Sequence, residues 1–331
     1  MSNPQIVIVV AGAQGNLGKL VCEALLARAR LAGQDLLVRG LVRKGRTPAS
    51  DPARAATPTG SADPRLVIEP VDYASDDDLR RVCTGAYAVV STLQGLEEVI
   101  VGVQSRLLKA AIAQNVRRFI PSDFSGDFTK LPAGSHRNFD LRRRFHQAAD
   151  AIMHQSQAKI EFTSIFQGGF TELLGSGWVL FDYKKRQVGY FGSPDTVMEY
   201  TTWQNTAEFA AAAALDPTPT PRYLYIAGQR MTPREAQQIA KQVTGVDFVL
   251  KRVMPTWLLG GVIKLMKLFK PGKPDEVMPL WVAMQYGYCG ALGVMSPARL
   301  DNERYRGIQW TGVNGVIRKA FDEAQAGWSP A

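Results

Sequence analysis

Cysteine and histidine are scarce in this 331-residue sequence, which has three of each. Cys22, Cys83 and Cys289 are widely separated and show no metal-ligand spacing, so we expect buried, inert thiols and no metal site. Long unbroken apolar runs are also missing, because lysines interrupt residues 257–269, and polar residues and glycines interrupt residues 278–294. Neither stretch predicts a membrane span. A strand-like run starts so near the first residue that no secretory signal is predicted, and we expect a cytoplasmic protein without a membrane partner.

Charge of one sign is not concentrated in any long segment. The formal net charge is +9, with 46% hydrophobic and 21% charged residues, which is an ordinary composition for a folded protein. The only tight basic run, residues 142–144, is offset by acidic runs at 76–78 and 97–98. The sequence therefore predicts a solvated, mildly basic surface rather than a nucleic-acid-binding face. An anionic cofactor would neutralise part of this charge locally.

Glycines recur at every third position after an apolar run near the start of the chain. Residues 6–10 are typical of a buried strand, Gly12, Gly15 and Gly18 follow, and residues 17–31 have apolar side chains at helical spacing. A glycine triplet alone also fits a loose turn, but its place between a strand and a helix favours a dinucleotide site. There the glycines permit a sharp turn, close approach of a pyrophosphate and close helix packing. The expected phosphate-binding residues are Gly12, Gln14, Gly15, Asn16, Leu17 and Gly18.

Strand-like and helix-like segments alternate through the first half of the chain. The predicted strands are residues 5–10, 35–42, 66–69, 86–91, 116–121 and 159–165. This alternation predicts an α/β fold with a Rossmann-type, doubly wound parallel sheet. Glycines and aromatic residues become frequent after residue 165. We therefore expect a dinucleotide-binding domain at residues 1–165 and a smaller α+β substrate-binding lobe at residues 166–331, with some segments of the second part returning to the sheet.

The end of the second predicted strand carries cations where many dinucleotide sites carry an acid. An acidic residue there accepts a hydrogen bond from the 2′-hydroxyl of NAD. This sequence has Arg43 and Lys44 instead, and both can pair with the 2′-phosphate of NADP. We therefore expect NADP(H) as the cofactor. The alternative is that the two cations only end a strand in solvent.

Five short motifs are spread over the chain. They are residues 12–18, 41–43, 118–124, 200–203 with Asn205, and 301–305. Together they make the sequence resemble the NmrA-like family of atypical short-chain dehydrogenases, which includes isoflavone reductase and phenylcoumaran benzylic ether reductase. The most specific motif, Phe119-Ile-Pro-Ser-Asp-Phe124, is similar to the family's strand-end sequence beneath the nicotinamide. The resemblance implies further cofactor contacts at Thr92, Leu93, Gln94, Ser122, Asp123, Phe124, Phe166 and Gln167.

The lysine that handles protons in the plant reductases of this family has no counterpart here. The resemblance places that position at Asn138, and an amide cannot donate and recover a proton. Asn138 either caps the helix that begins there or orients a substrate carbonyl or a water. In the second case proton transfer would pass to a neighbour, and His136 is the nearest titratable side chain. His146 shares a helix face with Asn138 but could equally be a packed or surface residue, and the Tyr-x-x-x-Lys pair of standard short-chain dehydrogenases is absent.

Two functions fit the sequence. One is reduction of an apolar, aromatic or conjugated small molecule by direct hydride transfer from NADPH. Its pocket is expected to be walled by Phe166, Phe170, Trp178, Met254 and Trp257. The other function is a non-catalytic NADP(H)-binding redox sensor, as the resemblance to NmrA-type proteins implies, and Asn138 favours it. An oligomer is compatible with either function.

Overall fold

The chain passes more than once between two structural units. The computed structural model describes residues 5–45, 63–176 and 180–326. Within these, the first unit takes residues from Met1–Asp123, Leu141–Ile165 and Thr206–Leu224. The second takes residues from Phe124–Asp140, Phe166–Asn205 and Tyr225–Ala331. Relative to the predicted border at residue 165, residues 124–140 lie in the second unit and residues 206–224 lie in the first.

The first unit is built on a six-stranded sheet. Its strands are β1 Ile6–Ala11, β2 Leu36–Arg43, β3 Leu66–Val71, β4 Ala88–Ser91, β5 Arg118–Ile120 and β6 Glu161–Phe162. In space they follow the order β3-β2-β1-β4-β5-β6, and every neighbouring pair is parallel. The order reverses between β1 and β4, which is where open parallel sheets bind ligands beyond the carboxyl ends of their strands. The predicted doubly wound α/β sheet is confirmed.

Helices α1 Asn16–Leu31, α2 Asp76–Cys83 and α3 Gln104–Ala113 accompany this sheet. A π-helix at Glu98–Val103 runs directly into α3, and α4 Arg137–Ser156 and α5 Trp203–Leu215 follow. Strands β1 and β4 are buried at almost every position, as strands covered on both faces must be. The largest buried aromatics of this core are Phe119, Phe145 and Phe162, whose ring centroids lie 5.8–6.4 Å apart.

A fully buried arginine anchors the start of β5. Arg118 pairs with Glu161 and donates hydrogen bonds to the carbonyl oxygens of Ala213, Asp216 and Thr218. Its guanidinium therefore ties β5 and β6 to the end of α5 within the first unit. A buried charge is tolerated here because its donors have several acceptors. Arg118, which opens the motif at residues 118–124, is thus structural.

The second unit is a mixture of short strands and helices. The strands are β7 Ser164–Phe166, β8 Gly169–Phe170, β9 Phe181–Asp182, β10 Gln187–Phe191, β11 Met198–Thr201, β12 Tyr223–Tyr225, β13 Gln229–Met231 and β14 Val249–Met254, of which β7 and β12 begin in the first unit. They form sheets β9-β10-β14, β8-β11-β13 and β7-β12. The helices are α6 Pro233–Thr244, α7 Thr256–Phe269, α8 Leu280–Ala291 and α9 Asn314–Ala326.

Local sequence signals set the ends of α6. Thr232 and Glu235 form a reciprocal capping box, Pro233 occupies the first turn, and Gly245 ends the helix at φ +78°. Cys22, Cys83 and Cys289 are buried thiols, as predicted. Among the described residues, no helix meets the length and apolarity needed to cross a bilayer, and no cluster of three His, Cys, Asp or Glu side chains suits a metal ion.

Candidate cofactor and substrate site

The three glycines predicted to hold a pyrophosphate form a tight turn between β1 and α1. Gly12 has φ +83°, a left-handed conformation that favours glycine. A Cβ on Gly18 would lie 2.2 Å from the Gly12 carbonyl oxygen, and a Cβ on Gly12 would lie 2.9 Å from Thr92 Oγ1. Packing thus requires glycine at both positions. Gly15 differs, because a Cβ there would meet only the Gly12 carbonyl oxygen, at 3.3 Å.

The backbone N–H groups in the first helical turn of α1 lie on the outer side of the glycine turn. Gly15 is the N-cap, and within the described residues no side chain caps the helix. Asn16 is exposed, Gln14 and Leu17 are half-buried, and the first turn contains no acidic residue. The positive end of the helix and its unused donors favour an anion at this place. The bare Gly15 gives that anion room to approach the backbone.

The loop after β4 holds the glycine turn in position. Thr92 Oγ1 donates to the Ala11 carbonyl oxygen at 2.9 Å and lies 3.2 Å from the Gly12 carbonyl oxygen. The hydroxyl proton of Thr92 is therefore engaged inside the protein. Leu93 is half-buried and Gln94 is exposed. Thr92 and Leu93 thus shape the site with their backbone, and Gln94 is the residue of this loop whose side chain reaches solvent.

Two exposed cations lie at the carboxyl end of β2, as the cofactor prediction requires. Arg43 forms no ion pair with any acid in the described part of the chain. A hydrogen bond from the Asp72 backbone N–H holds the pKa of Asp78 below its usual value, with smaller contributions from Arg81 and the smallest from the charge of Lys44, which lies nearby. Arg43 is therefore the cation with more capacity for an added phosphate.

Tyr73 is a residue of this site that the sequence patterns did not indicate. Its side chain is 7% exposed, and its hydroxyl lies beside the Gly12 backbone and within electrostatic reach of Arg43. Burial raises the pKa of Tyr73 above its usual value. The neutral phenol therefore supports the glycine turn from the β3 side.

Ser122 fixes the carboxyl end of β5. Its N–H donates to Gln104 Oε1 at 2.9 Å, and its Oγ donates to the Leu93 carbonyl oxygen at 2.7 Å. The Ser122 carbonyl oxygen accepts a hydrogen bond from Arg142 Nε at 3.1 Å. Arg142 is half-buried and permanently charged, so it can stabilise negative charge but cannot donate a proton for catalysis. The only sequence signal for it was the basic run at residues 142–144.

A buried polar trio lies directly after Ser122. His146 Nε2 is 2.5 Å from Asp123 Oδ2, and Ser164 Oγ donates to the same oxygen at 2.8 Å. Ser164 Oγ is also 3.3 Å from His146 Nε2. The carboxylate and the hydroxyl meet the same ring nitrogen, so this is not a relay in which an acid orients a histidine that activates a serine. The Asp123 carboxylate thus braces the strand end through Oδ2, and its predicted contact with the cofactor stays a prediction.

The two predicted catalytic residues lie at the start of α4, in the second unit. His136 Nδ1 accepts hydrogen bonds from the backbone N–H groups of Asn138, at 3.1 Å, and Phe139, at 3.3 Å. His136 is therefore the N-cap, and the interpretation of Asn138 as the cap is wrong. Asn138 is buried in the first turn, where Nδ2 donates to the Val277 carbonyl oxygen and Oδ1 accepts from Arg137 Nε.

The surroundings of His136 do not suit a proton shuttle. The ring is fully buried, with centroid distances of 4.2 Å to Phe139 and 4.1 Å to Tyr286. Protonation of Nδ1 would convert the accepting atom into a donor and break the helix cap. The structure therefore gives His136 a capping role, and the predicted proton transfer through His136 stays a prediction.

Gln167 is an unusual buried amide in the second unit. Its backbone N–H donates to the Ser125 carbonyl oxygen at 3.0 Å, and its carbonyl oxygen accepts from Thr201 Oγ1 at 2.7 Å. Its side chain is 1% exposed, yet within the described residues neither Oε1 nor Nε2 has a hydrogen-bond partner. Buried polar atoms without partners are rare. The Gln167 amide therefore has hydrogen-bonding capacity that the described residues do not use.

The predicted apolar pocket wall is divided in the structure. Phe166 is buried and packs edge-on against Phe128 with a centroid distance of 5.3 Å. Phe124, which was predicted as a cofactor contact, is also buried. Phe170 and Met254 are half-buried. Trp257, by contrast, is 78% exposed, and Trp178 lies outside the described residues. Trp257 is thus a surface residue of α7 rather than the wall of an enclosed pocket.

Known structures share this fold. The AtPrR2 structure with NADP+ and (+)-pinoresinol is 17% identical, covers 96% of this chain and 99% of that chain, and has a TM-score of 0.75. An isoflavone reductase is 16% identical, with 96% and 99% covered and a TM-score of 0.71. The leucoanthocyanidin reductase–NADPH complex from Vitis vinifera is 16% identical, with 96% and 99% covered and a TM-score of 0.71. The predicted resemblance to isoflavone-reductase-like proteins is confirmed in the fold.

A family model described as NAD(P)H-binding matches residues 12–217. No curated protein matches the sequence. The matched segment contains the glycine turn, the cations after β2 and the loops after β4 and β5. Since it covers more than half of the chain, this protein belongs to the NAD(P)H-binding family.

Proposed function

We propose that this protein is an NADPH-dependent reductase that transfers hydride directly to an apolar, aromatic or conjugated small molecule. One observation carries the proposal: the bare Gly15 at the uncapped start of α1 lies in the same unit as the exposed Arg43 after β2. The first feature suits a pyrophosphate and the second a 2′-phosphate. The fold shared with AtPrR2, a structure that contains (+)-pinoresinol, supports the substrate class.

The segment after β5 is the proposed place of reaction. The bound nicotinamide would supply the hydride. Ser122 and Asp123 keep this strand end rigid through their bonds to Leu93 and His146. Arg142, held against the Ser122 carbonyl oxygen, would stabilise negative charge that develops on the acceptor.

The internal hydrogen bonds of Asn138 and His136 bear on which substrates we expect the protein to reduce. Neither side chain is arranged to give a proton. Asn138 is hydrogen-bonded to Val277 and Arg137, and His136 caps α4. Loss of a general acid costs about 10²–10⁴ in rate for a substrate that needs one. Quinones and enones delocalise the charge that hydride brings, so we expect them to react faster than isolated ketones.

The test is NADPH oxidation, followed by its absorbance, with quinones, enones, aryl aldehydes and benzylic ethers. We expect turnover with at least one conjugated acceptor, and Arg142→Ala should lower kcat while leaving the Kd for NADPH nearly unchanged. Arg143→Ala, one position along the same basic run, is the matched control. NADPH binding without oxidation by any acceptor would contradict the proposal.

A non-catalytic NADP(H) sensor is the second candidate. It is favoured by the same observation, that Asn138 and His136 are engaged in internal hydrogen bonds. A sensor must bind the reduced and oxidised cofactors with different affinity or change shape between them. Limited proteolysis with NADPH or NADP+ distinguishes the candidates, since a sensor gives two cleavage patterns and no turnover.

A further inference from the structure

Exposed apolar side chains are concentrated in one stretch of the second unit. Nine large ones lie between residues 249 and 280: Val249, Val253, Trp257, Leu258, Leu265, Leu268, Phe269, Met278 and Leu280. The others among the described residues are scattered: Leu31, Val67, Leu173 and Val294. Single exposed apolar residues are normal on a protein surface, whereas a concentration of them marks an interaction surface.

Helix α7 is apolar on two sides. Leu259 and Ile263 are buried, which fixes the face that packs on the unit. Trp257, Leu268 and Phe269 are 78%, 71% and 74% exposed. The spacing of 11 residues is close to three turns and puts Trp257 and Leu268 on one side of the helix, away from the buried pair, and Phe269 lies about 100° further round at the end of the helix. A surface helix normally shows polar residues there.

Cations surround these apolar side chains. Six exposed ones lie in the same stretch: Lys251, Arg252, Lys264, Lys267, Lys270 and Lys273. The acids of the stretch are only Asp275 and Glu276. Within the described chain, Lys264, Lys270 and Lys273 form no ion pair. Residues 249–280 therefore combine many exposed apolar side chains with an excess of positive charge.

This combination suits an anionic bilayer better than a second copy of the chain. In a symmetric dimer the same cations would face one another across the contact. A bilayer surface with anionic headgroups accepts the lysines at its phosphates and the aromatic and aliphatic side chains at the boundary of its acyl chains. Tryptophan is favoured at that boundary.

We propose that α7 with residues 249–255 and 270–280, here called the α7 face, docks on anionic lipid bilayers. The 14-residue helix lies in the plane of the interface and does not span the membrane. This revises the expectation of no membrane partner, which considered only spanning segments. The proposal is independent of the reductase activity, because no residue of the glycine turn or of the β5 strand end takes part.

The test is co-sedimentation of the full chain with vesicles. Vesicles of phosphatidylcholine with about one-third phosphatidylserine should bind the protein, pure phosphatidylcholine vesicles should bind it much less, and added salt should weaken the binding. The Trp257 side chain should move into a less polar environment, so vesicles should shift the tryptophan fluorescence to the blue. The shift should be smaller in Trp257→Phe.

Two double variants separate the apolar and the electrostatic parts. Leu268→Ser with Phe269→Ser, and Lys264→Glu with Lys270→Glu, should each weaken vesicle binding by about tenfold or more. Leu31→Ser, at a position that is 90% exposed on α1, and Lys109→Glu, exposed on α3, are the matched controls and should bind as the unaltered protein does. Circular dichroism and NADPH affinity confirm that each variant is folded.

Three results would overturn the proposal. The first is equal binding of the unaltered protein to neutral and anionic vesicles, or no binding to either. The second is a loss of vesicle binding in the control variants that is as large as the loss in the α7 variants. The third is a dimer in sedimentation velocity that the Leu268→Ser, Phe269→Ser variant converts to a monomer without an effect on vesicles, which would assign the α7 face to self-association.

Discussion

Replacing Arg43 with alanine should remove most of the preference for NADPH over NADH. Arg43 is exposed at the end of β2 and has no ion pair within the described residues, so it loses no internal partner when it binds phosphate. NADPH and NADH differ only at the 2′ position of the adenosine ribose. The substitution should therefore weaken NADPH binding and leave NADH binding nearly unchanged.

The expected loss of NADPH affinity in Arg43→Ala can be estimated from the exposure of Arg43 to water. Opposite unit charges 4 Å apart interact by about 1 kcal/mol in water and about 4 kcal/mol near a protein surface. A hydrogen bond to a charged group contributes about 1.5–3 kcal/mol, and the lower end applies because water surrounds Arg43. The loss is then about 1.4 kcal/mol, or tenfold in Kd. Lys44→Ala should cost less, because Asp78 already neutralises part of the Lys44 charge.

The assay is a fluorescence titration of both cofactors at two ionic strengths. Salt should reduce the NADPH preference of the unaltered protein and have little effect on Arg43→Ala. Arg318→Ala on α9, which changes the net charge equally and lies in the second unit, is the control. Equal affinity of the unaltered protein for NADPH and NADH, or an unchanged ratio in Arg43→Ala, would refute the reasoning.

Three further substitutions test other parts of the first unit. Gly15→Ala should fold normally but bind NADPH at least about tenfold more weakly, whereas Gly18→Ala should disturb the turn itself, as cofactor titration and thermal unfolding will show. His146→Phe should lower the free energy of unfolding by about 2 kcal/mol, because Asp123 loses a buried partner. An unchanged urea unfolding curve would argue against a role of His146 in holding the β5 strand end. Burial raises the pKa of Glu161, but hydrogen bonds from arginines, Arg118 first, outweigh it and hold the pKa below its usual value. The stabilisation by Glu161 is thus present above its unfolded-state pKa of about 4.3 and is lost as pH falls through the folded-state pKa. Glu161→Gln should therefore be less stable than the unaltered protein at neutral pH, with a difference that shrinks in acid.

Local sequence patterns were sufficient to predict much of the structure of the first unit. Strands β1 to β5 and the glycine turn follow from buried apolar runs and from glycines that sterically must be glycine, such as Gly18. The cations after β2 are adjacent to a strand end, so their place was also readable from the sequence. Each of these features depends on residues close together along the chain.

Features that depend on distant residues were not predictable. The Asp123 contacts with His146 and Ser164 join residues 23 and 41 positions apart. Tyr73 lies beside Gly12 because two parallel strands bring their ends together, which no local spacing indicates. The sequence offered Asn138 as one candidate for the cap of α4 and did not indicate His136, because Asn is a favoured capping residue and His is not.

The exposed apolar side of α7 was missed for a different reason. Residues 257–269 are apolar at positions that face both inward and outward, so periodicity could not separate the buried Leu259 from the exposed Trp257. Only packing shows which face the unit covers.

Transfer of the nicotinamide hydrogen tests the central claim most directly. The protein is incubated with NADPH deuterated at carbon 4 on one or the other face and with an enone or aryl aldehyde acceptor, in which the transferred deuterium forms a carbon–deuterium bond that does not exchange with water, and the product is analysed by mass spectrometry. We expect one deuterium in the product from one of the two labelled cofactors and none from the other. Reduced product without deuterium from either cofactor, or bound NADPH that no acceptor oxidises, would contradict the account of this chain as a hydride-transferring reductase.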